Sequence, residues 1–330
     1  MRDLNQILNK ALQESRLSAE EMYSLLELQS ENQLTRLFET ARDLRSRYFG
    51  NGVFLYGFLY ISTYCRNQCH FCYYRADNKQ SLRYRKDPER ILNSARALAD
   101  SGVHLLDLTM GEDPLWFNGE PGTFEPLLNL VSEIKSRTGL PIMVSPGVVP
   151  MGLFGSLRSA GADWYACYQE IHNPTLFSRL RPGQSFRDRL DTKRLAHESG
   201  MLIEEGILLG VGERSADIIQ SIEVMRQIDA DQVRAMNFVP QPGSPMESNP
   251  PADPLAELRL IALLRLVFPD RLIPASLDVA GLDGLGARIN AGANVVTSIV
   301  PAHQGLAGVA QHSLDIDQSR RTTEQVKAVL

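Results

Sequence analysis

Eight short apolar runs, rich in β-branched and aromatic residues, recur along this chain. They are VFLYGFLYIS (53–62), HLLDLTM (104–110), PIMVSP (141–146), DWYACYQ (163–169), MLIEEGILLG (201–210), DQVRAMNFV (231–239), RLIPASLD (271–278) and ANVVTSIV (293–300). Their composition and length read as β-strands. Between them lie segments with helical periodicity. DPERILNSARALADSG (87–102) has an acidic start, an early proline and a terminal glycine, the punctuation of a helix. SADIIQSIEVMRQIDA (215–230) and DPLAELRLIALLRLVF (253–268) read the same way. Eight strands, each followed by a helix, is the count of a (βα)8 TIM barrel, an α/β fold. The rival is a doubly wound open sheet, and the strand count favours the barrel. Residues 1–50 read as an N-terminal helical extension packed outside a barrel domain over 51–330. In such a barrel, reactive groups belong at the C-terminal ends of strands and in the loops that follow.

Composition narrows the class. With 330 residues and 43% hydrophobic content, the chain has enough apolar material for a large core. A net charge of −5 and the absence of a Lys/Arg block argue against nucleic acid as a partner. No apolar run reaches the roughly 18 residues of a membrane span. The opening stretch MRDLNQILNKALQESRLSAEEMYSLLEL is amphipathic and interrupted by charges throughout, unlike a signal peptide. Four cysteines, three of them within eight residues, do not make a disulfide scaffold for a chain this long. They point to a reducing cytoplasm and to thiols kept for a metal or redox task.

The three clustered thiols are Cys65, Cys69 and Cys72 in TYCRNQCHFCYYRADN, directly after the first strand. A tight loop with this spacing turns three soft thiolates toward one point, which suits zinc or an iron–sulfur cluster. Zinc wants a fourth ligand. His70 is the nearest candidate, but it is adjacent to Cys69, so their side chains tend to diverge. Cys167 lies in the fourth strand, where a small buried hydrophobe is its expected role. Three ligands without an obvious fourth favour a [4Fe–4S] cluster with one open iron. A non-catalytic, zinc-stabilised module is the competing reading.

The pattern C-x3-C-x-Φ-C, with Phe71 ahead of the last cysteine, resembles the radical S-adenosyl-L-methionine (SAM) signature. In that superfamily the open iron chelates SAM, and the reduced cluster cleaves it to a 5′-deoxyadenosyl radical. TMGEDP (109–114) resembles the segment that serves the methionyl amino group, and GILLGVGE (206–213) the glycine-rich segment near the adenine. Over nearly its whole length the chain resembles the methylornithine synthase family. The residues that carry this are YFGNGVFLYGFLYISTYCRNQCHFCYYR, LLDLTMGEDP, GLPIMVSPGV, IPASLDVAGLDG and INAGANVVTSIVP. YQEIHNPTLFSRLRPGQSFRDR (168–189) is similar to a segment shared with biotin synthase and with the SAM-dependent [FeFe]-hydrogenase maturase. The resemblance implies a radical SAM mutase, an isomerase. It would convert L-lysine to (3R)-3-methyl-D-ornithine by hydrogen abstraction, fragmentation and recombination, the first step of pyrrolysine biosynthesis. It also implies a reductant such as flavodoxin or ferredoxin. A relative with the same SAM site and another small substrate, of the biotin synthase or hydrogenase maturase type, is the alternative.

Strand alternation selects which side chains face the barrel axis. Asp107 in LLDLTM and Arg234 in QVRAMNF sit between apolar neighbours, and Ser276 and Asp278 in PASLD share one face. Buried charges are costly unless paired. A structural ion-pair network that fixes register is one reading, and a pocket for a diamino acid is the other. In the second, Arg234 clamps the carboxylate bidentately. Asp107 and Asp278 each meet an ammonium group, and Ser276 adds a hydrogen bond. These four positions also match those that the family uses for its amino acid. For SAM, the resemblance points to Glu170 and Arg189, with Ser145 and Tyr73 as lesser contacts and Glu112 acting largely through its backbone neighbours. No side chain is needed as a general acid or base, because the hard chemistry belongs to the cofactor.

Overall fold

The computed structural model of the protein describes residues 3–302 and 321–330. Its strands are β1 (Phe54–Ser62), β2 (Leu105–Met110), β3 (Ile142–Ser145), β4 (Trp164–Ala166), β5 (Leu202–Leu209), β6 (Gln232–Asn237), β7 (Pro274–Ser276) and β8 (Val295–Ile299). All pair in parallel, in the order β6-β5-β4-β3-β2-β1-β8-β7. The two ends of that order meet. Gln232 of β6 bridges in parallel to Leu272, just ahead of β7, and Val233 N donates to Leu272 O at 3.0 Å. This seam closes the sheet into the expected (βα)8 barrel and rules out the open doubly wound sheet.

Three helices precede the barrel: α1 (Leu4–Leu12), α2 (Ala19–Leu26) and α3 (Glu31–Phe49). Between the strands lie α4 (Pro88–Ser101), α5 (Glu125–Thr138), α6 (Phe154–Ala160), α7 (Pro174–Leu180), α8 (Phe186–Glu198), α9 (Ser215–Gln227), α10 (Pro254–Val267) and α11 (Leu285–Asn290). Last comes α12 (Thr323–Val329). The helix ends follow their sequence signals. At α4, the Asp87 carboxylate accepts from Glu89 N at 2.9 Å, Pro88 occupies the first turn, and Gly102 ends the helix in the left-handed region at φ +88°, as capping physics asks. α2 and α3 pack on α10. Their buried Leu25, Leu37, Ala41 and Leu44 join one apolar cluster with the outward faces of the strands. Among the described residues, no helix is long and apolar enough to cross a membrane.

Alternation along β1 sorts the two faces. Leu55, Leu59 and Ile61 point out to the helices, whereas Tyr56, Phe58 and Tyr60 point inward. Tyr56, Leu105, Met143, Trp164 and Val295 lie early in their strands and pack together inside the barrel. They plug its N-terminal end, so any cavity must open toward the C-terminal ends.

Two strands are shorter than their apolar runs. The run 163–169 ladders only through Trp164–Ala166. Beyond it, the buried Glu205 carboxylate accepts from the backbone N–H groups of Gln169 and Gly206, both at 2.8 Å. A side chain thus takes the place of a ladder carbonyl. The chain bends outward, and Glu170 adopts φ +68° before bridging to Ile207. The run 271–278 likewise ladders only through Pro274–Ser276.

Candidate active site

A cavity of about 300 Å³ opens at the C-terminal ends of the strands, a size suited to small molecules. Its wall contains Cys65, Cys69, Cys72, Asp107, Glu112, Ser145, Glu170, Arg189, Arg234, Ser276 and Asp278. Eleven of the twelve site residues predicted from sequence therefore share one cavity. Tyr73 is the exception. Its hydroxyl donates to Gln80 O at 2.8 Å and its ring packs edge-on against Tyr74, so its side chain belongs to the support of the cysteine loop. The stretch GILLGVGE (206–213) reaches the cavity through Leu208, near the end of β5.

The cysteine loop is bolted to the loop after β2. Asp113, with no exposed surface, accepts from Arg85 Nε and Nη2, both at 2.7 Å, and from the Ser62 hydroxyl. Burial alone would raise this carboxyl, but the hydrogen bonds from Arg85 and Ser62 outweigh it and hold it below its ordinary range. The two loops touch at Gly111, where a β-carbon would fall 2.5 Å from Tyr64 O and 2.8 Å from Cys65 Cβ. Only glycine permits that approach.

Glu112 works through its side chain rather than its backbone alone. Its Oε2 accepts from Arg66 Nε at 2.9 Å, and its Oε1 from Val148 N at 3.0 Å and Arg189 Nη2 at 3.2 Å. Arg189 also donates from Nη1 to Cys167 Sγ at 2.9 Å and from Nη2 to Gln184 Oε1 at 2.9 Å. Cys167, the residue after β4, is therefore more than a filler. It lines the cavity and takes a hydrogen bond from a buried cation. Glu170 Oε1 accepts from Arg181 Nη2 at 2.8 Å, while its Oε2 and Arg189 Nε are buried without a partner. Burial raises the Glu170 carboxyl, against the pull of Arg181.

Farther down the barrel lies the second group. Asp107 accepts from the Ser145 hydroxyl at 2.8 Å. Ser145 thus holds Asp107 while it lines the cavity. Burial and the negative charge of Glu204 push Asp107 up to about 7, with Ser145 and Arg234 pulling the other way. Arg234 Nε donates to Glu204 Oε1 at 2.6 Å, and Tyr168 holds the other Glu204 oxygen at 2.8 Å. Arg234 Nη2 is buried with no partner. Asp278 accepts from Arg321 Nη1 at 2.6 Å, Ser298 Oγ at 2.6 Å and Ser276 Oγ at 3.0 Å. Burial would raise its carboxyl, yet Arg321 and Ser298 lower it. Asp278 is thus a paired carboxylate, not a bare anion awaiting an ammonium group.

Sequence reasoning missed Arg181, Gln184, Glu204, Ser298 and Arg321. Glu204 had a visible signal, two successive acids inside an apolar strand. Arg321 had none, because it follows the last strand and reaches Asp278 only through the fold.

The model of the radical SAM superfamily matches residues 59–225. The 3-methylornithine synthase of Methanosarcina acetivorans is 46% identical, over 98% of this chain and 91% of that protein. A crystal structure of methylornithine synthase superposes with a TM-score of 0.92 at 42% identity, covering 98% of this chain and 95% of the other. This chain belongs to the methylornithine synthase family of radical SAM enzymes. The [FeFe] hydrogenase maturase subunit HydE of Thermotoga maritima is a more distant relative, 31% identical over 79% of this chain and 74% of that protein.

As a radical SAM enzyme the protein uses a [4Fe–4S] cluster and SAM, and its donor set fits both. All four cysteines are free. Burial raises the thiols of Cys65 and Cys72, the latter to about 12 with help from the other two sulfurs. They ionise when a metal replaces the proton. Among the described residues no group of three or more His, Cys, Asp or Glu side chains is arranged to hold a single metal ion. Membership of the radical SAM family is what sets the zinc module aside. The unpartnered Glu170 oxygen is an acceptor suited to a sugar hydroxyl, and Arg189 Nε a donor suited to an anion.

Proposed function

We propose that this chain is a mutase that converts L-lysine to (3R)-3-methyl-D-ornithine, the first step of pyrrolysine biosynthesis. It would act in a reducing cytoplasm with a reductant of the flavodoxin or ferredoxin type. The observation that carries the substrate is the charge count of the cavity. Glu204 cancels Arg234, and Arg321 cancels Asp278. Among the described residues no cation lies within salt-bridge distance of Asp107, which leaves one negative charge when it is ionised. A free amino acid with a second amine carries one net positive charge, so the filled pocket is neutral. A buried site that closed on an excess charge would be penalised by several kcal/mol.

Cys65, Cys69 and Cys72 would hold the cluster. Glu170 and Arg189 would hold SAM, with Glu112 fixing Arg189 in place. When bound there, the cluster and SAM would supply the radical chemistry that removes a hydrogen atom from the substrate. The chain's own residues do the rest. Arg234 offers Nη2 to the carboxylate, Asp107 meets an ammonium group, and Ser276 and Asp278 present a neutralised polar wall to the other. The aromatic plug keeps water from the barrel end. These anchors orient the side chain to be attacked and keep fragments from escaping before they recombine.

The test is anaerobic incubation with SAM, reductant and lysine, followed by mass and NMR analysis of the amino acid. An isomer of unchanged mass with a new methyl signal is expected. SAM cleavage that leaves lysine unaltered, even at saturating lysine, would reassign the substrate.

A further inference from the structure

Two side chains converge on the sulfur of Cys69. Arg181 Nη1 lies 3.2 Å and Gln184 Nε2 3.0 Å from Cys69 Sγ. Both come from the turn between α7 and α8. The same turn is tied to the cysteine loop by His70 N, which donates to Leu180 O at 2.8 Å. Arg181 is buried and held from several sides. Its Nη2 lies 2.8 Å from Glu170 Oε1 and 3.3 Å from Tyr168 O, and its guanidinium sits 5.1 Å from the centre of the Phe71 ring. The other two cluster thiols are treated differently. Among the described residues, Cys65 and Cys72 receive backbone amides only.

We propose that Arg181 and Gln184 set the reduction potential of the cluster through Cys69, and that Arg181 links that potential to occupancy of the SAM pocket through Glu170. The inference rests on the radical SAM reading of the site. Reduction brings one electron from the external reductant onto the cluster. An N–H donor aimed at a ligand sulfur stabilises the added charge, and a guanidinium with little water around it does so more strongly. Arg181 is shared between the Cys69 sulfur and the Glu170 carboxylate, whose Oε2 has no partner. A hydroxyl that donates to Oε2 draws the carboxylate charge away from Arg181. The field of the guanidinium at Cys69 is then less compensated, and the reduced cluster is favoured. Arg181 and Gln184 are positioning residues here, acting through a ligand rather than on substrate.

The test is a redox titration of the reconstituted protein followed by electron paramagnetic resonance, with and without SAM. Iron and sulfide are counted in each preparation. Arg181→Met is expected to lower the ratio of reduced to oxidised cluster at fixed potential about tenfold, which is about 59 mV for a one-electron couple. Gln184→Leu should shift it the same way by less, because a neutral donor is lost. Arg181→Lys should recover part of the shift, since it keeps the charge without the fork. The further shift that SAM induces should be smaller in Arg181→Met than in Gln184→Leu. If Arg181→Met does not hold four irons, Gln184→Leu carries the test. Wild-type potentials in the loaded variants would overturn the inference alone. A wild-type protein without a four-iron signal would overturn it together with the reading it rests on.

Discussion

Glu204 Oε1 lies 2.6 Å from Arg234 Nε, so the guanidinium that faces the cavity is neutralised by its own wall. The pair is buried on neighbouring strands, and Tyr168 pins the far oxygen of Glu204 at 2.8 Å. Rings of Tyr168 and Phe58 lie 5.6 Å and 6.0 Å from the guanidinium carbon. Arg234 is thereby fixed in direction before any ligand arrives, and Nη2 is the donor left over. Preorganisation of this kind reduces the ordering cost of binding.

Arg234→Lys tests the clamp. Lysine keeps the charge but cannot copy a planar fork that serves Glu204 and a carboxylate together. Losing a hydrogen bond to a charged group costs about 1.5–3 kcal/mol. If that falls on substrate binding, affinity drops by about ten- to a hundredfold at about 1.4 kcal/mol per tenfold. The variant should still hold the cluster and bind SAM, and cleave SAM slowly without making product. Product and 5′-deoxyadenosine are to be quantified together. Wild-type product yield would remove Arg234 from the clamp.

Asp107 gives the site a pH dependence with a defined sign. Without substrate its carboxyl stands at about 7, raised by burial and by Glu204. An ammonium ligand favours the ionised form and lowers that value. Binding therefore releases a proton where the free group is protonated, and affinity falls as pH drops below about 7, by up to about tenfold per unit. Calorimetry of lysine binding at about pH 6, in buffers of different ionisation enthalpy, should report proton release approaching one, and about pH 8 much less. Glu204→Gln removes the repulsion and should move the onset to lower pH. Equal proton release from Asp107→Asn would assign the proton to another group.

Much of this arrangement was legible in the sequence. The inward positions of Asp107, Arg234 and Ser276 follow from strand period, and the position of the cysteine loop follows from barrel topology. What could not be read was how far each charge is compensated. Arg234 finds Glu204 across a ladder, and Asp278 finds Arg321, which is 43 residues away along the chain. Such partners depend on register and closure, which local pattern does not encode. The truncation of β4 was hidden for the same reason. The apolar run continues, but Glu205 diverts its backbone.

The cysteine series separates ligands from bystanders. Changing Cys65, Cys69 or Cys72 to Ala should strip iron from the protein and abolish SAM cleavage. Cys167→Ala should retain the iron, because its sulfur is held by Arg189 Nη1 at 2.9 Å and serves that side chain. It should instead loosen Arg189 and weaken SAM binding. Iron analysis and calorimetry decide the matter. Loss of iron from Cys167→Ala with retention in Cys72→Ala would reverse the ligand assignment.

Gly147 is where one methyl group reports on Glu112 and Arg189, the proposed SAM-binding pair. The residue sits at φ +87°, and a β-carbon there would fall 2.2 Å from Glu112 Cγ and 2.6 Å from Glu112 Oε1. Neither backbone nor carboxylate has room to move. Val148 N and Arg189 Nη2 hold Glu112 Oε1, Arg66 holds Oε2, and the Tyr165 hydroxyl donates to Gly147 O. Gly147→Ala must therefore break part of this set or strain the loop, at a cost of about 1–3 kcal/mol. Displacing Glu112 frees Arg189, so SAM affinity should fall while iron content stays near normal. Glu112→Gln keeps the shape and halves the acceptor set, and should weaken SAM binding less. Calorimetric SAM binding beside thermal denaturation separates the two effects. A Gly147→Ala protein with wild-type SAM affinity would show that the Glu112–Arg189 contact does not position the cofactor.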